Sequence, residues 1–186
     1  MMIWESYVWK VELKRDLGDL RRRLQHAATP RSRGITEQVL AKIEKFVFAS
    51  AFVVRKLIEA KKLSDELEAA TLLVRSFPRI DLERSIDFLN WHRLDEFYDL
   101  TNPSTACVIP RDLCNLLIHS LVFSPILTGD GRYVSGFLFN SDRIKDTVLF
   151  EITLETYLNF IESVIQDDVA NVSYDRRTRA LMKSRG

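Results

Sequence analysis

A short stretch near the middle of the chain carries the side chains best suited to chemistry. Residues 111–120 read RDLCNLLIHS, with Asn115 and His119 four positions apart. In an α-helix that spacing places both side chains on one face, about 40° apart around the axis and ~6 Å along it. A histidine can move protons near neutral pH, and an amide can orient it or bind a phosphate oxygen. The same pair would equally suit a packed interface, bonding to backbone groups or to each other.

The chain lacks the common motifs of nucleotide binding and hydrolysis. It contains no G-x-x-x-x-G-K-[ST], G-x-G-x-x-G or G-x-S-x-G sequence. His26, His92 and His119 are far apart, and none has a second histidine at metal-ligand spacing. Cys107 and Cys114 do not form a C-x-x-C pair and are expected to be reduced thiols. We therefore predict neither a metal site nor a cofactor.

A cluster of arginines in the first fifth of the chain is a candidate for phosphate binding. No acidic residue lies between Asp19 and Glu37. The guanidinium group suits phosphate oxygens, so RNA is one expected partner and an acidic protein surface is another. The cluster has no aromatic residues between its arginines, which single-strand stacking would require. Its members are Arg21, Arg22, Arg23, Arg31 and Arg33.

The elements that must position these residues are predicted to be mainly helical. Apolar residues at three- and four-residue spacing predict a long helix over 3–28 and a second, more buried helix that Thr36 caps. Ser64 can cap a third helix that ends before Phe77-Pro78. The segment 79–100 is ambiguous, since its aromatic residues could belong to a helix or to a loop packed on the core.

The later part of the chain predicts a mixture of elements. Pro110 suits the first turn of a helix that carries Asn115 and His119. Two short apolar runs, 133–139 and 147–154, predict a small antiparallel hairpin, and 154–165 predicts a closing helix. We expect one domain over 1–168, with a helical core at 3–124 and the hairpin and closing helix at 125–168. Residues 169–186 are expected to form a basic, mobile tail.

Composition predicts a soluble, cytoplasmic protein with no membrane partner. The chain has 186 residues, of which 46% are hydrophobic and 28% charged, and it shows no signal peptide or apolar run long enough to span a bilayer. The net charge of +1 hides a separation of charge. Residues 1–62 carry 14 basic and 7 acidic residues, whereas residues 63–175 carry 8 and 19. Such separation can steer a polyanion or bring two copies together head to tail, and it is also common on solvated helix faces.

Long N-terminal helices followed by a late helix that reads RDLCNLLIHS resemble the HEPN (higher eukaryotes and prokaryotes nucleotide-binding) superfamily. Its motif is an arginine, four to six residues and a histidine, and seven residues separate Arg111 from His119. The resemblance implies a mainly α, HEPN-like helical bundle with a small antiparallel β-hairpin and a C-terminal helix. It also implies a homodimer in which two motifs meet, with His119 as the catalytic histidine and Asn115 and Arg111 as its polar partners.

The resemblance leads to two functional expectations. The first is an RNA-directed module of a bacterial defence or toxin–antitoxin system, acting as a metal-independent ribonuclease in which His119 helps an RNA 2′-hydroxyl attack its neighbouring phosphate. The alternative is a non-catalytic protein-binding or dimerisation module with a structural His119. An exposed His119 with an arginine within reach across a dimer would favour the first expectation, and a buried, fully bonded His119 would favour the second.

Overall fold

The computed structural model describes residues 5–29, 31–178 and 180–185, and it shows a mixed α/β fold. The helices are α1 (Ser6–Ala27), α2 (Glu37–Glu59), α3 (Asp65–Ala69), α4 (Leu94–Phe97), α5 (Pro110–Ile118) and α6 (Leu154–Gln166). The strands are β1 (Leu72–Pro78), β2 (Ser104–Val108), β3 (Ser120–Leu127), β4 (Val134–Ser141), β5 (Val148–Thr153), β6 (Val169–Asp175) and β7 (Ala180–Arg185).

Five strands form one antiparallel sheet in the order β2-β1-β5-β4-β3. The prediction of a mainly α, HEPN-like helical bundle is therefore wrong. The hairpin expected at 125–168 is real, but its strands β4 and β5 lie in the middle of this sheet rather than beside a helical core. Residues 3–124 also contribute β1, β2 and most of β3 to it.

Each face of the sheet has its own apolar core. On one face, α5 and α6 contact β4, and α1 and α2 pack against these two helices. Phe137, Phe139 and Ile152 point from the sheet into this larger core. Side chains alternate across a strand, so Phe77, Val122 and Leu149 point to the opposite face. There the segment 86–98 covers them, with Ile86, Phe97 and Tyr98 fully buried.

Several local predictions are confirmed by the hydrogen bonds that begin the helices. The Thr36 hydroxyl accepts from the Val39 N–H at 3.4 Å, and the Ser64 hydroxyl accepts from the Leu67 N–H at 3.2 Å. Pro110 occupies the first turn of α5. The third helix, however, ends at Ala69, and Leu72–Pro78 is a strand rather than its continuation.

The end of the chain, for which the sequence predicts a basic tail, contains the two-stranded antiparallel sheet β6–β7. Lys183 joins it to α3. Its ammonium group is buried, donates to the Leu63 carbonyl at 2.5 Å and forms ion pairs with Glu68 and Asp65. The Lys183 backbone N–H also donates to the Asp65 carboxylate at 2.8 Å.

Among the described residues, no helix is both long enough and apolar enough to cross a membrane.

Candidate functional site

The predicted motif lies on α5, and its three side chains are spread along the helix. Arg111 is in the first turn and half-buried, whereas His119 is the exposed residue that ends the helix. They are eight positions apart in the chain, which corresponds to about 12 Å along a helix axis. Asn115 and His119 occupy the last turn, where the His119 N–H donates to the Asn115 carbonyl at 3.1 Å. The structure thus brings the amide and the imidazole to one end of α5 and leaves the Arg111 Cα at the other.

Nothing around His119 completes a catalytic arrangement within the described residues. The side chains of Arg111, Asn115 and His119 make no hydrogen bond or ion pair there. General acid–base catalysis needs a positioned proton partner within hydrogen-bond reach. Within one copy of the chain, His119 is therefore an exposed histidine that no described side chain orients.

The neighbouring thiol does not serve as a nucleophile. Cys114 is fully buried, and this burial raises the pKa of its thiol to about 12, although the nearby positive charge of Arg55 acts in the opposite direction. Only the thiolate is reactive, so a buried thiol with a raised pKa is inert near neutral pH. Arg55 belongs to α2, and its Nη2 pairs with Glu59 at 3.2 Å, whereas its buried Nη1 has no hydrogen-bond partner among the described residues.

The basic cluster divides into a paired half and an open half. Arg21 pairs with Glu162 of α6 at 2.6 Å, and Arg22 and Arg23 both reach Asp19. The hydrogen bond from Arg23 is the first cause of the lowered pKa of Asp19. Exposed pairs of this kind contribute little to stability, but they do reduce the positive field.

The open half of the basic cluster gains new neighbours from another loop. Arg31 and Arg33 are exposed, and the loop that carries them contacts residues 128–133. The Ile35 N–H donates to the Gly131 carbonyl at 2.9 Å, and Arg132 donates to the Thr29 carbonyl at 3.0 Å. A methyl group on Gly34 would stand 2.7 Å from the Gly131 carbonyl, so this contact requires glycine. It brings Arg132 to residues 29–35, the loop that carries Arg31 and Arg33, and Tyr133, the next residue in the chain, is half-exposed.

A metal centre is not indicated in the part of the chain that the structure describes. No group of three or more histidine, cysteine or carboxylate side chains there could hold a metal ion.

The most unusual surface lies elsewhere, in the ambiguous segment. Residues 79–93, here called the apolar loop, connect β1 to α4 and expose large apolar side chains to solvent. Phe88 and Leu89 are each 85% exposed and Leu82 is 84% exposed. Ile80 and Trp91 are exposed to a smaller extent. Single exposed apolar residues are common on proteins, whereas several within a dozen residues make this segment a candidate interaction surface.

An arginine anchors the apolar loop from beneath. The Arg79 side chain is only 3% exposed. It donates to the carbonyls of Asp81 and Arg84, and its guanidinium group lies over the Phe97 ring at 4.7 Å. The planar guanidinium group is suited to this combination of forked donation and stacking. These contacts hold the backbone of the apolar loop at residues 81 and 84.

Carboxylate groups fix the remaining backbone of the apolar loop. Asp81 accepts from the N–H groups of Glu83 and Arg84 and pairs with the Arg84 side chain at 2.6 Å. These bonds, with the Arg84 N–H first, hold the pKa of Asp81 below its ordinary value. Ser85 and the Ile86 N–H both donate to Asp146 in the turn before β5.

Reciprocal hydrogen bonds between Asp87 and Asn90 close the exposed tip of the loop. The Asp87 N–H donates to the Asn90 side-chain oxygen at 2.9 Å. In return, the Asp87 carboxylate accepts from the N–H groups of Leu89 and Asn90 at 2.8 and 3.2 Å. This arrangement satisfies the backbone with local side chains. These bonds therefore restrict the backbone at the tip of the loop, where Phe88 and Leu89 are exposed.

Sequence reasoning missed this surface, although one signal was present. The prediction that aromatic residues of 79–100 could pack on the core holds for Phe97 and Tyr98, which are buried. Leu82, Phe88 and Leu89 stand among acidic and turn-forming residues, without a helical or alternating period. Apolar residues that follow neither a helical nor a strand period indicate a loop, in which their side chains can be exposed to solvent.

Comparison with known protein families, curated proteins and solved structures finds no significant match to this chain. The predicted resemblance to the HEPN superfamily is therefore wrong, since neither a family match nor the sheet-containing fold supports it.

Proposed function

We propose that the chain is a non-catalytic protein-binding module whose binding surface is the apolar loop. The observation that carries the proposal is the contrast within this loop between a fixed backbone and exposed apolar side chains. Ordering a loop before binding removes an entropic cost from association. A loop that had no partner would gain nothing from presenting phenylalanine and leucine to water.

The free energy available from burying the side chains of the apolar loop is consistent with a reversible interaction. Full burial of one large apolar side chain contributes about 1.5–3 kcal/mol. Leu82, Phe88 and Leu89, which are the most exposed, would together contribute roughly 4.5–9 kcal/mol, which is comparable with the ~4–15 kcal/mol that association costs in lost freedom. The loop alone would therefore give weak binding, and measurable affinity requires a partner with a shaped apolar surface.

The surroundings of the loop indicate the charge of that partner. Residues 79–100 contain three arginines and six carboxylate side chains. An excess of negative charge disfavours an anionic membrane surface and favours a partner with basic residues around an apolar patch.

Site-specific photo-cross-linking in cells tests the proposal. Phe88 is replaced by a benzophenone amino acid, and the same replacement at Leu73, which is 62% exposed on the sheet, is the control. We expect a discrete protein adduct from position 88 and none from position 73. Adducts to nucleic acid alone, or identical adducts from both positions, would remove the basis of the proposal.

RNA binding is a second candidate function, supported by the contact between the loops at 29–35 and 128–133. That contact adds Arg132 to the loop of Arg31 and Arg33, and the half-exposed Tyr133 follows Arg132 in the chain. Arginine forks beside an exposed ring suit a single strand.

Its test is the salt dependence of binding to a single-stranded RNA oligonucleotide. Each phosphate contact contributes about −0.7 to the slope of log K against log salt concentration. Arg31→Ala/Arg33→Ala should flatten the slope by about two contacts, whereas exposed Arg177→Ala should not. Equal slopes for both variants would exclude this surface.

A further inference from the structure

The β6–β7 hairpin exposes apolar side chains on the face that Lys183 anchors to α3. Val172 lies opposite Lys183 in the antiparallel register, and residues that lie opposite each other share a face. Tyr174 is two residues further along β6 and is therefore on the same face. Val172 is 61% exposed and Tyr174 is 56% exposed. A two-stranded hairpin alone is at best marginally stable in water, so a further surface packed on this face would stabilise it.

The turn of the hairpin carries free positive charge. Arg176 and Arg177 are exposed, and neither forms an ion pair with a described residue. Asp175 is the single acidic residue of the segment 169–186, which contains five basic residues. The ammonium group of Lys183 is neutralised by two carboxylates of α3, but the remaining arginines still exceed the one carboxylate. The hairpin is therefore an apolar face next to a basic turn.

The free charge around the apolar loop has the opposite sign. Each of the three arginines of residues 79–100 forms an ion pair with a carboxylate. The carboxylates of that segment that have no ion pair among the described residues are Glu83, Asp87, Asp95 and Asp99. Asp87 directly precedes Phe88, which is 85% exposed. Apolar surfaces surrounded by opposite free charges favour one docking orientation.

We propose that the partner of the apolar loop is the β6–β7 hairpin of a second copy of this chain, with Phe88 and Leu89 packed on Val172 and Tyr174. This inference rests on the proposed function and names its partner. Both surfaces remain exposed within one copy, so their contact needs a second one. The contact joins two different surfaces and is therefore heterologous, and each copy keeps one free loop or hairpin. Association continues beyond two copies, into a ring or an open chain.

Mixing two defective variants of the full chain tests this arrangement with purified protein. Phe88→Ser/Leu89→Ser removes the apolar contact of the loop, and Arg176→Glu/Arg177→Glu reverses the charge of the hairpin at exposed positions of its turn. Tyr174→Ser tests the apolar face of the hairpin separately. Mass is measured by light scattering over a range of protein and salt concentrations.

Each variant has a matched control at an exposed position outside the proposed contact. Leu73→Ser, on the sheet, is the control for the loop. Lys42→Glu/Lys45→Glu, at two exposed positions of α2 without an ion pair among the described residues, is the control for the charge reversal. Met182→Ser is the control for Tyr174→Ser, because the register places Met182 on the other face of the hairpin.

The proposal predicts that the mass of the wild type and of all controls grows with concentration, whereas each variant alone stays monomeric. An equimolar mixture of Phe88→Ser/Leu89→Ser with Arg176→Glu/Arg177→Glu should form a dimer and stop there, because only one intact loop and one intact hairpin remain. Added salt should weaken the association of the wild type, since it screens the opposite charges.

Several results would overturn the inference. One is a wild type that is monomeric up to about 1 mM, where even weak contacts form. Another is association that Arg176→Glu/Arg177→Glu leaves intact. Equal losses of association from Tyr174→Ser and Met182→Ser would also overturn it, because the contact would then not depend on the assigned face.

Failure of this inference and failure of the proposed function are distinguishable. If purified protein does not associate but position 88 still forms a discrete adduct with another protein in cells, the binding function stands and only the self-association fails. If position 88 forms no protein adduct in either setting, the proposed function fails as well.

Discussion

Asp87 and Asn90 have the clearest individual role, because together they hold the tip of the apolar loop. Asp87→Ala removes the acceptor of the Leu89 and Asn90 N–H groups. We expect faster hydrogen exchange across residues 85–91, while the free energy of unfolding changes by less than about 1 kcal/mol because the tip is exposed. Hydrogen exchange read by mass spectrometry measures both effects. Asp95→Ala, at an exposed position just beyond the loop, should leave exchange unchanged; equal effects would show that Asp87 has no special role.

Tyr98 links stability to alkaline pH. Its hydroxyl donates to the Lys145 carbonyl and accepts from Asn140, and burial raises its pKa from 10.0 to about 12. Because the folded state favours the protonated phenol, its contribution is complete below pH 10 and is lost as the pH rises towards 12. The unfolding free energy of the wild type relative to Tyr98→Phe should therefore fall over this window in denaturant titrations. A constant difference would contradict the assignment.

For the motif on α5, the sequence predicted where the side chains lie but not the groups that surround them. The spacing of Asn115 and His119 predicted a shared helical end, and α5 has them in its last turn. Whether His119 contributes to catalysis stays a prediction. Local spacing could not show that Arg55 acts on the buried Cys114, because that contact comes from the packing of α2 on α5.

Among the elements, those with local signals were predictable. Thr36, Ser64 and Pro110 begin helices where capping preferences place them. Strand β1 was missed because its partners, β2 and β5, lie far along the chain, and such pairing leaves little trace in a local pattern. Strand β3 was missed because Pro125 reads as a break, whereas β3 is an edge strand, where proline is tolerated.

The β6–β7 sheet should depend on one buried lysine. Lys183→Met removes the charge that Glu68, Asp65 and the Leu63 carbonyl share. Glu68 and the Leu63 carbonyl lose this donor, whereas Asp65 keeps the hydrogen bond from the backbone N–H of residue 183. Both carboxylates keep some solvent contact, so we expect a loss of about 1–3 kcal/mol rather than the larger cost of a fully enclosed pair. Denaturant unfolding measures it, with exposed Arg177→Met as the control. A loss no larger than that of the control would mean that the sheet is held by other contacts.

At the scale of the whole molecule, the basic and acidic parts of the sequence correspond to different regions of the fold. The basic first third of the chain contains helices α1 and α2, and the acidic part contains the apolar loop. Composition revealed the asymmetry, but it could not show that the acidic part exposes large apolar side chains. That relation depends on which side chains the fold leaves unburied, such as Phe88.

The central claim is that the apolar loop presents its side chains to a protein in a fixed conformation. Cross-linking from position 88, compared between the normal loop and the same loop carrying Asp87→Ala, tests it most directly. We predict a discrete protein adduct whose yield falls several-fold with Asp87→Ala. Without the Asp87 hydrogen bonds, binding itself must order the tip of the loop, and this costs conformational entropy. An unchanged yield, or no protein adduct from the intact loop, would contradict the claim.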